Sequence, residues 1–203
     1  MKITILDYGA GNLPSVERAF ERLAIQAERA TTPESISSAE AIVLPGVGHV
    51  AALIRALDTL NLREPLCEAV RRGTPFLGIC LGLQVLFASS EEAPELPGLN
   101  LLEGEVRALP NSVKLPHMGW NQLECTRESR LLRGLADDAL FYFAHSYAAP
   151  DSNPAATATC THGRQFAAVI ERDNISAVQF HPEKSGPSGA TVFKNFLEMA
   201  QCR

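Results

Sequence analysis

Apolar residues along this chain follow two successive patterns. In the first half, short β-like runs at residues 2–7, 41–44 and 75–79, the last two unbroken in apolar residues, alternate with stretches at 12–23, 50–57 and 62–72. The unbroken runs read as strands buried on both faces. The intervening stretches repeat their apolar positions every three or four residues, as amphipathic helices do. Strand and helix in alternation predict an α/β fold with a mostly parallel central sheet flanked by helices. In the second half the period shortens, and runs at 104–108, 114–123, 139–143, 157–161, 167–170 and 175–180 are separated by turn residues. These are expected to be additional antiparallel strands that extend the sheet. A last helix is expected over about residues 189–200, with Val192, Phe193, Phe196 and Leu197 at helical spacing. The segment 89–100, rich in Glu, Pro and Gly, reads as a surface loop away from any chemistry.

Ligands of parallel sheets sit beyond the carboxyl ends of the strands. Three loops are expected there: residues 7–12, 45–48 and the turn after the run 75–79. That last turn reads Gly78-Ile79-Cys80-Leu81-Gly82. A cysteine between glycines at a strand-to-helix turn is placed like a nucleophile, because glycines let strand and helix approach while the sulfur projects clear of the backbone. A helix over 81–88 would point its N–H groups at the sulfur and favour thiolate. Cysteine chemistry needs a base, and His181 ends the apolar run 175–180 ahead of Pro182-Glu183. If the backbone stays extended through the proline, His181 and Glu183 share one side, with the carboxylate orienting the imidazole. Donors for an oxyanion are expected from the Leu81 N–H and from Val47, in a loop whose two glycines let its amides swing inward.

Composition narrows the function classes. The 203 residues are expected to form one domain (1–203). A net charge of −5 without a basic cluster gives nucleic acid no electrostatic footing, and no apolar run is long enough for a membrane. The chain opens directly on a strand-like run rather than a secretory leader. Its five cysteines, at positions 67, 80, 125, 160 and 202, form no C-x-x-C pair. A reducing cytoplasm is the expected location, with no metal site and no cofactor. The turn Asp7-Tyr8-Gly9-Ala10-Gly11-Asn12 lacks the spacing of a dinucleotide fingerprint and is not read as a nucleotide site.

Three segments together, Leu44-Pro45-Gly46-Val47-Gly48, Gly78 to Gln84 and Gln179-Phe180-His181-Pro182-Glu183-Lys184-Ser185, resemble the class I glutamine amidotransferases over nearly the whole chain. Within that family, residues 7–12, Lys114-Leu115-Pro116-His117-Met118-Gly119-Trp120-Asn121 and Phe143-Ala144-His145-Ser146-Tyr147 are similar to glutaminase subunits of imidazole glycerol phosphate synthases. The resemblance implies a three-layer flavodoxin-like domain and a triad of Cys80, His181 and Glu183. It implies hydrolysis of L-glutamine to glutamate and ammonia through a cysteine thioester, with Gly48, Gln84, Ser146 and Tyr147 holding the amino acid. It also implies a heterodimer with a (β/α)₈ cyclase. Asn12, His117, Met118, Trp120, Tyr142 and Lys184 would lie toward this cyclase, which would take up the ammonia in histidine biosynthesis. There it would form imidazole glycerol phosphate and an aminoimidazole carboxamide ribotide by-product. The glutaminase would be switched on by the cyclase and its nucleotide ligand. Departures from the family pattern are Pro187 and the loop 89–100.

Two other readings of the same residues stand beside this one. The chain could serve another synthase, such as that of pyridoxal phosphate, or be a non-enzymatic flavodoxin-like module with a redox-sensitive Cys80.

Overall fold

The structure, a computed structural model, describes residues 2–202. Its first half runs β1 (Ile3–Leu6), α1 (Leu13–Arg22), β2 (Ala27–Ala30), α2 (Pro33–Ser37), β3 (Ala41–Gly46), α3 (Val50–Thr59), α4 (Arg63–Arg71), β4 (Phe76–Cys80) and α5 (Leu81–Gln84). The second half is richer in strand. It comprises β5 (Phe87–Ser90), β6 (Leu102–Ala108), β7 (His117–Gln122), β8 (Glu124–Cys125), β9 (Leu140–His145), β10 (Tyr147–Ala148), β11 (Ala156–His162), β12 (Arg164–Arg172) and β13 (Ile175–Val178). A 3₁₀ turn at Pro182–Lys184 and helix α6 (Gly186–Gln201) complete it.

The main sheet has the order β2-β1-β3-β4-β13-β12-β11-β8. Neighbours from β2 to β13 pair parallel, and β12, β11 and β8 continue the sheet antiparallel. Every residue of β3 and β4 is buried, which is why these strands read as unbroken apolar runs. Period two then divides them between the sheet's faces. Ile42, Leu44 and Phe76 join the core under α3 and α4, while Val43, Leu77 and Ile79 join the one shared with α1 and α6. On that second face Phe20 of α1 meets Phe193 of α6 with ring centroids 4.8 Å apart, a pairing worth about 0.5–1.5 kcal/mol beyond its burial.

The second half departs from the expectation of a simple antiparallel extension. Strand β13 inserts parallel beside β4, β7 pairs with β9 in a separate two-stranded ribbon, and β6 lies between β5 and β10 in a third sheet. The helix expected over 81–88 is a single turn. After Gln84 the chain turns its carbonyls outward: Val85 O accepts from Leu99 N–H and Leu86 O from Leu101 N–H, and β5 forms. A macrodipole aimed at Cys80 is therefore small. Elements without an expectation include β2 and α2. The edge strand Ala-Glu-Arg-Ala lacks an apolar pattern, whereas α2 carries a legible capping box of Thr32 and Ser35 with Pro33 behind the cap.

The strand ends of β3, β4 and β13 lie level, because Gly46 pairs with Cys80 and Val178 with Ile79. Close approach at this point depends on glycine. A Cβ on Gly82 would lie 1.9 Å from the Leu44 carbonyl oxygen, and one on Gly78 would lie 2.5 Å from the Gly82 carbonyl oxygen. Since the opposing atoms are backbone, Gly82→Ala should cost about 1–3 kcal/mol or more. A urea titration should show the midpoint falling accordingly; a midpoint within error of wild type contradicts this packing.

Candidate active site

Cys80 closes β4 with φ +55° and ψ −106°, a left-handed conformation that non-glycine residues rarely hold. The sulfur is thereby thrown out of the strand. Cys80 opens on a cavity of about 240 Å³ lined by Val47, Gly48, Cys80, Leu81, Gln84, Glu92, Ala144, His145, Ser146, Tyr147, His181 and Lys184. A larger cleft of about 550 Å³ lies along Lys2, Glu17 and Glu28, but no cysteine or histidine lines it. The expected nucleophile, base and oxyanion loop thus share one cavity, together with all four residues expected to hold glutamine.

His181 is 2% exposed, and its Nδ1 lies 2.9 Å from Glu183 Oε1. They meet for a different reason than the one expected. The backbone does not stay extended through Pro182 but coils into the 3₁₀ turn, which folds Glu183 back onto the imidazole. Glu183 is itself 2% exposed at its side chain, and its Oε2 has no hydrogen-bond partner. Burial alone would lower the His181 pKa. The Cys80 sulfur facing it and the bonded Glu183 outweigh burial and raise it, which favours an imidazolium beside the sulfur.

The 45–48 loop is held differently from its expectation. Gly46 is not glycine for freedom of rotation: a Cβ there would press on Leu81 Cβ at 2.5 Å and Gly82 N at 3.1 Å, so it serves the elbow's packing. Gly48, with φ +93° and open space around it, supplies the conformational freedom. The Val47 N–H faces the hydroxyl of Tyr8, although that buried hydroxyl completes no hydrogen bond. Burial is the main cause that pushes the Tyr8 pKa up to about 12. Residues 7–12 and 45–48 therefore do meet at the elbow.

Three site residues escape a reading of the sequence. Glu92 lies in the segment 89–100 that was expected to stand apart, yet it lines the cavity, its Oε2 held 2.8 Å from the Val50 N–H. Gln179 Nε2 donates to Cys80 Sγ at 3.6 Å. His145, next to Ser146, lines the cavity as well. Gln179 was legible only as part of its motif, one residue beyond the Val178–Ile79 register pair. Gln84 Nε2 donates to the Tyr147 carbonyl at 2.8 Å and to Gln179 Oε1 at 3.1 Å, which leaves Gln84 Oε1 buried without a partner.

Of the residues expected toward a partner, Met118 and Trp120 are 64% and 54% exposed on one face of β7. Trp120 meets Tyr142 edge-on at 5.9 Å, and Lys184 Nζ lies 5.5 Å from the Tyr142 ring centroid. His117 is buried on the other face, and Asn12 is half-buried at the start of α1. Among the described residues no group of His, Cys, Asp and Glu could hold a metal ion. Nor, among the described residues, is any helix long and apolar enough to cross a membrane.

Comparison with known proteins follows the same lines. Residues 4–200 match the family model described as "Glutamine amidotransferase class-I". The chain belongs to the class I glutamine amidotransferase family. It is 48% identical, over 97% of its length and 98% of the relative, to "Imidazole glycerol phosphate synthase subunit HisH" of Methanothermobacter thermautotrophicus. A relative of the same description from Moorella thermoacetica is 46% identical over 98% of this chain and 95% of its own. Among solved structures, one described as a glutamine amidotransferase superposes with a TM-score of 0.78 at 20% identity, covering 98% of both chains. The PurLQS structure from Thermotoga maritima gives 0.73 at 18% identity, again over 98% of both chains, so this family fold persists at low identity.

The site's histidines set a pH dependence of stability. Burial, with a smaller contribution from His162, lowers His117 to about 4; burial lowers His145 to about 3, with His117 among the smaller contributors. Unfolding restores the ordinary value near 6.5, so below that pH the unfolded chain binds protons that the folded chain refuses. Their contribution is full above pH 6.5 and is lost as pH falls toward the folded values. His181 is raised, so its contribution is full below pH 6.5 and declines as pH rises above it. Stability should peak near neutrality. Between pH 6.5 and 5 its slope should reach uptake of about two protons on unfolding. A flat profile there, read by chemical denaturation, contradicts a neutral His117–His145 pair.

Proposed function

We propose that this chain is the glutaminase subunit of an imidazole glycerol phosphate synthase, hydrolysing L-glutamine and passing the ammonia to a cyclase subunit in histidine biosynthesis. The observation that carries the reading is the single cavity in which Cys80, on its left-handed elbow, faces His181 backed by Glu183. The choice of synthase draws support from near-full-length relatives described as its HisH subunit.

In this reading Cys80 Sγ attacks the side-chain carboxamide carbon of glutamine, and the oxygen takes the charge. Leu81 N–H, next to the sulfur, is one donor to it, and Val47 N–H becomes the second when the loop turns. The C–N bond breaks as His181 gives its proton to the departing ammonia, leaving a thioester. His181 then takes a proton from water, the hydroxide adds to the thioester, and the C–S bond breaks to give glutamate and restore the thiolate beside the protonated His181. Glu183 keeps the imidazole oriented throughout.

The α-substituents of glutamine have fitting partners. Glu92 brings a carboxylate to the cavity wall and suits the α-ammonium group. Gln84 Oε1, buried and unpartnered, suits an N–H donor of the substrate, since leaving it unpaired costs about 1–3 kcal/mol. Gly48, Ser146 and Tyr147 line the remainder. The exposed Met118 and Trp120, with the Tyr142–Lys184 stack beside the cavity, suit the cyclase face. Ammonia handed directly to that partner stays unprotonated and nucleophilic.

Assembled with the cyclase, the chain should release glutamate from glutamine, and Cys80→Ala should lower this by on the order of 10⁴-fold or more. Ammonia supplied from solution should still drive the cyclase in that variant. Surviving glutamine turnover would remove Cys80 from the mechanism. Glu92→Gln should raise the KM for glutamine by about 10-fold or more with kcat little changed, as loss of a charged hydrogen bond made equally in ground and transition states does.

The loop supports a switch. With Val47 N–H turned to Tyr8, the oxyanion lacks its second donor, worth about 2.7–4 kcal/mol. Gly48→Ala disfavours the present φ by about 1–2 kcal/mol and should depopulate this silent arrangement. The unstimulated glutaminase rate should rise several-fold and stimulation by the cyclase's ligand should fall. An unchanged stimulation ratio sinks the switch.

A further inference from the structure

The two faces of the β7–β9 ribbon are chemically distinct. Period two sends Met118, Trp120 and Tyr142 outward, and His117, Asn121, Phe143 and His145 inward. On the inner face His117 and His145 are directly opposed, with His117 Nδ1 3.1 Å from His145 Nε2. His145 Nδ1 lies 2.9 Å from the Tyr147 carbonyl, which can only accept. A neutral His145 therefore carries its proton on Nδ1 and offers a bare Nε2. His117 must donate to it from Nδ1, which leaves His117 Nε2 to accept from Asn121 Nδ2 at 3.4 Å. Asn121 has no freedom to flip, because Nδ2 also donates to the Thr161 carbonyl and Oδ1 accepts from the Gln122 N–H. Each proton has one place.

The line continues past Tyr147. The same carbonyl accepts from Gln84 Nε2, that group also donates to Gln179 Oε1, and Gln179 Nε2 donates to Cys80 Sγ. Hydrogen bonds run unbroken from the ribbon to the sulfur. His117 is held in place by rings on both sides, stacked on Phe143 at 4.8 Å and on His162 at 4.2 Å. His162 is anchored in turn, its Nε2 2.9 Å from the Lys114 carbonyl.

We propose that His117 and His145 are positioning residues for the glutaminase site. Through the Tyr147 carbonyl they fix Gln84 and Gln179, so that Cys80 keeps its hydrogen bond and Gln84 Oε1 stays free for substrate. This rests on the reading of Cys80 as nucleophile and glutamine as substrate. Buried and depressed in pKa, both rings are neutral at neutral pH, as the line requires. A protein docked on the outer face of the ribbon would bear on the sulfur through these residues without touching it.

The test compares His117→Phe, which keeps the stacking but cannot donate, with His117→Asn, whose Nδ2 replaces the Nδ1 donor. Two quantities are measured: kcat and KM for glutamine in the assembled complex, and the rate of Cys80 alkylation by iodoacetamide in the free chain, followed by peptide mapping. His117→Phe should raise KM by about 5- to 10-fold, the effect of one net hydrogen bond, and change the alkylation rate by about threefold or more. His117→Asn should recover most of both. A His117→Phe protein that melts like wild type with wild-type KM and alkylation overturns the proposal, as does an Asn variant as impaired as the Phe variant. Should His117→Phe fail to fold, Asn121→Ala at the outer end decides: a raised KM supports the proposal and an unchanged one overturns it. If the wild-type complex releases no glutamate, the glutaminase reading fails, while the alkylation comparison still judges the positioning role.

Discussion

The elbow at Cys80 can exist only because three stretches of backbone approach to contact distance. Cys80 holds φ +55°, a conformation costing on the order of 1–3 kcal/mol, and the surrounding packing must overdetermine it. Gly82 sits against the Leu44 carbonyl, Gly78 against the Gly82 carbonyl, and Gly46 against Leu81, each where a side chain would overlap its neighbour. The sulfur and the 45–48 loop are consequently parts of one packed unit. Movement of the loop therefore has to leave the Gly46 Cα in place and proceed by rotation of the Gly46–Val47 peptide plane together with Val47 and Gly48, where the chain is exposed.

Insertion of β13 beside β4 supplies the remainder of the chemistry. In this register the first residues past β13 emerge next to the elbow, so Gln179 and His181 reach Cys80 from about a hundred positions away. The 3₁₀ turn brings Glu183 behind His181, and both side chains are almost completely removed from water. A charge on this imidazole is sustainable because a carboxylate and a sulfur flank it. In low dielectric, removal of either partner costs far more than the pair contributes net.

Polar groups around the cavity are largely satisfied, and the exceptions point to function. Gln84 commits its amide N–H groups to Tyr147 and Gln179 and leaves only its oxygen unpaired. Tyr8 keeps a buried hydroxyl facing the Val47 N–H without completing a bond. Both fit a site whose last hydrogen bonds are completed by a ligand or by a change of loop conformation. The ribbon adds a structural route from outside, with apolar side chains in solvent on one face and a line of neutral imidazoles on the other.

Much of this was written locally in the sequence. The unbroken runs of β3 and β4 announced strands buried on both faces, and the helical spacing of α1, α3 and α4 announced their coats. Glycines around Cys80 announced an elbow, because only backbone contact demands them at that spacing. Other features had no local signature. That β13 runs parallel beside β4, rather than antiparallel beyond the edge, depends on strand pairing, which short apolar runs do not encode. The truncation of the helix after Gln84 came from tertiary hydrogen bonds to Val85 and Leu86, and the arrival of Glu92 at the cavity came from the packing of the segment that follows. His117 and His145 were visible as residues in motifs, but their shared face and proton order exist only once β7 and β9 pair. Sequence alone determined which residues could be buried or could react; tertiary structure decided which of them meet, since pairing partners are chosen by the whole core at once.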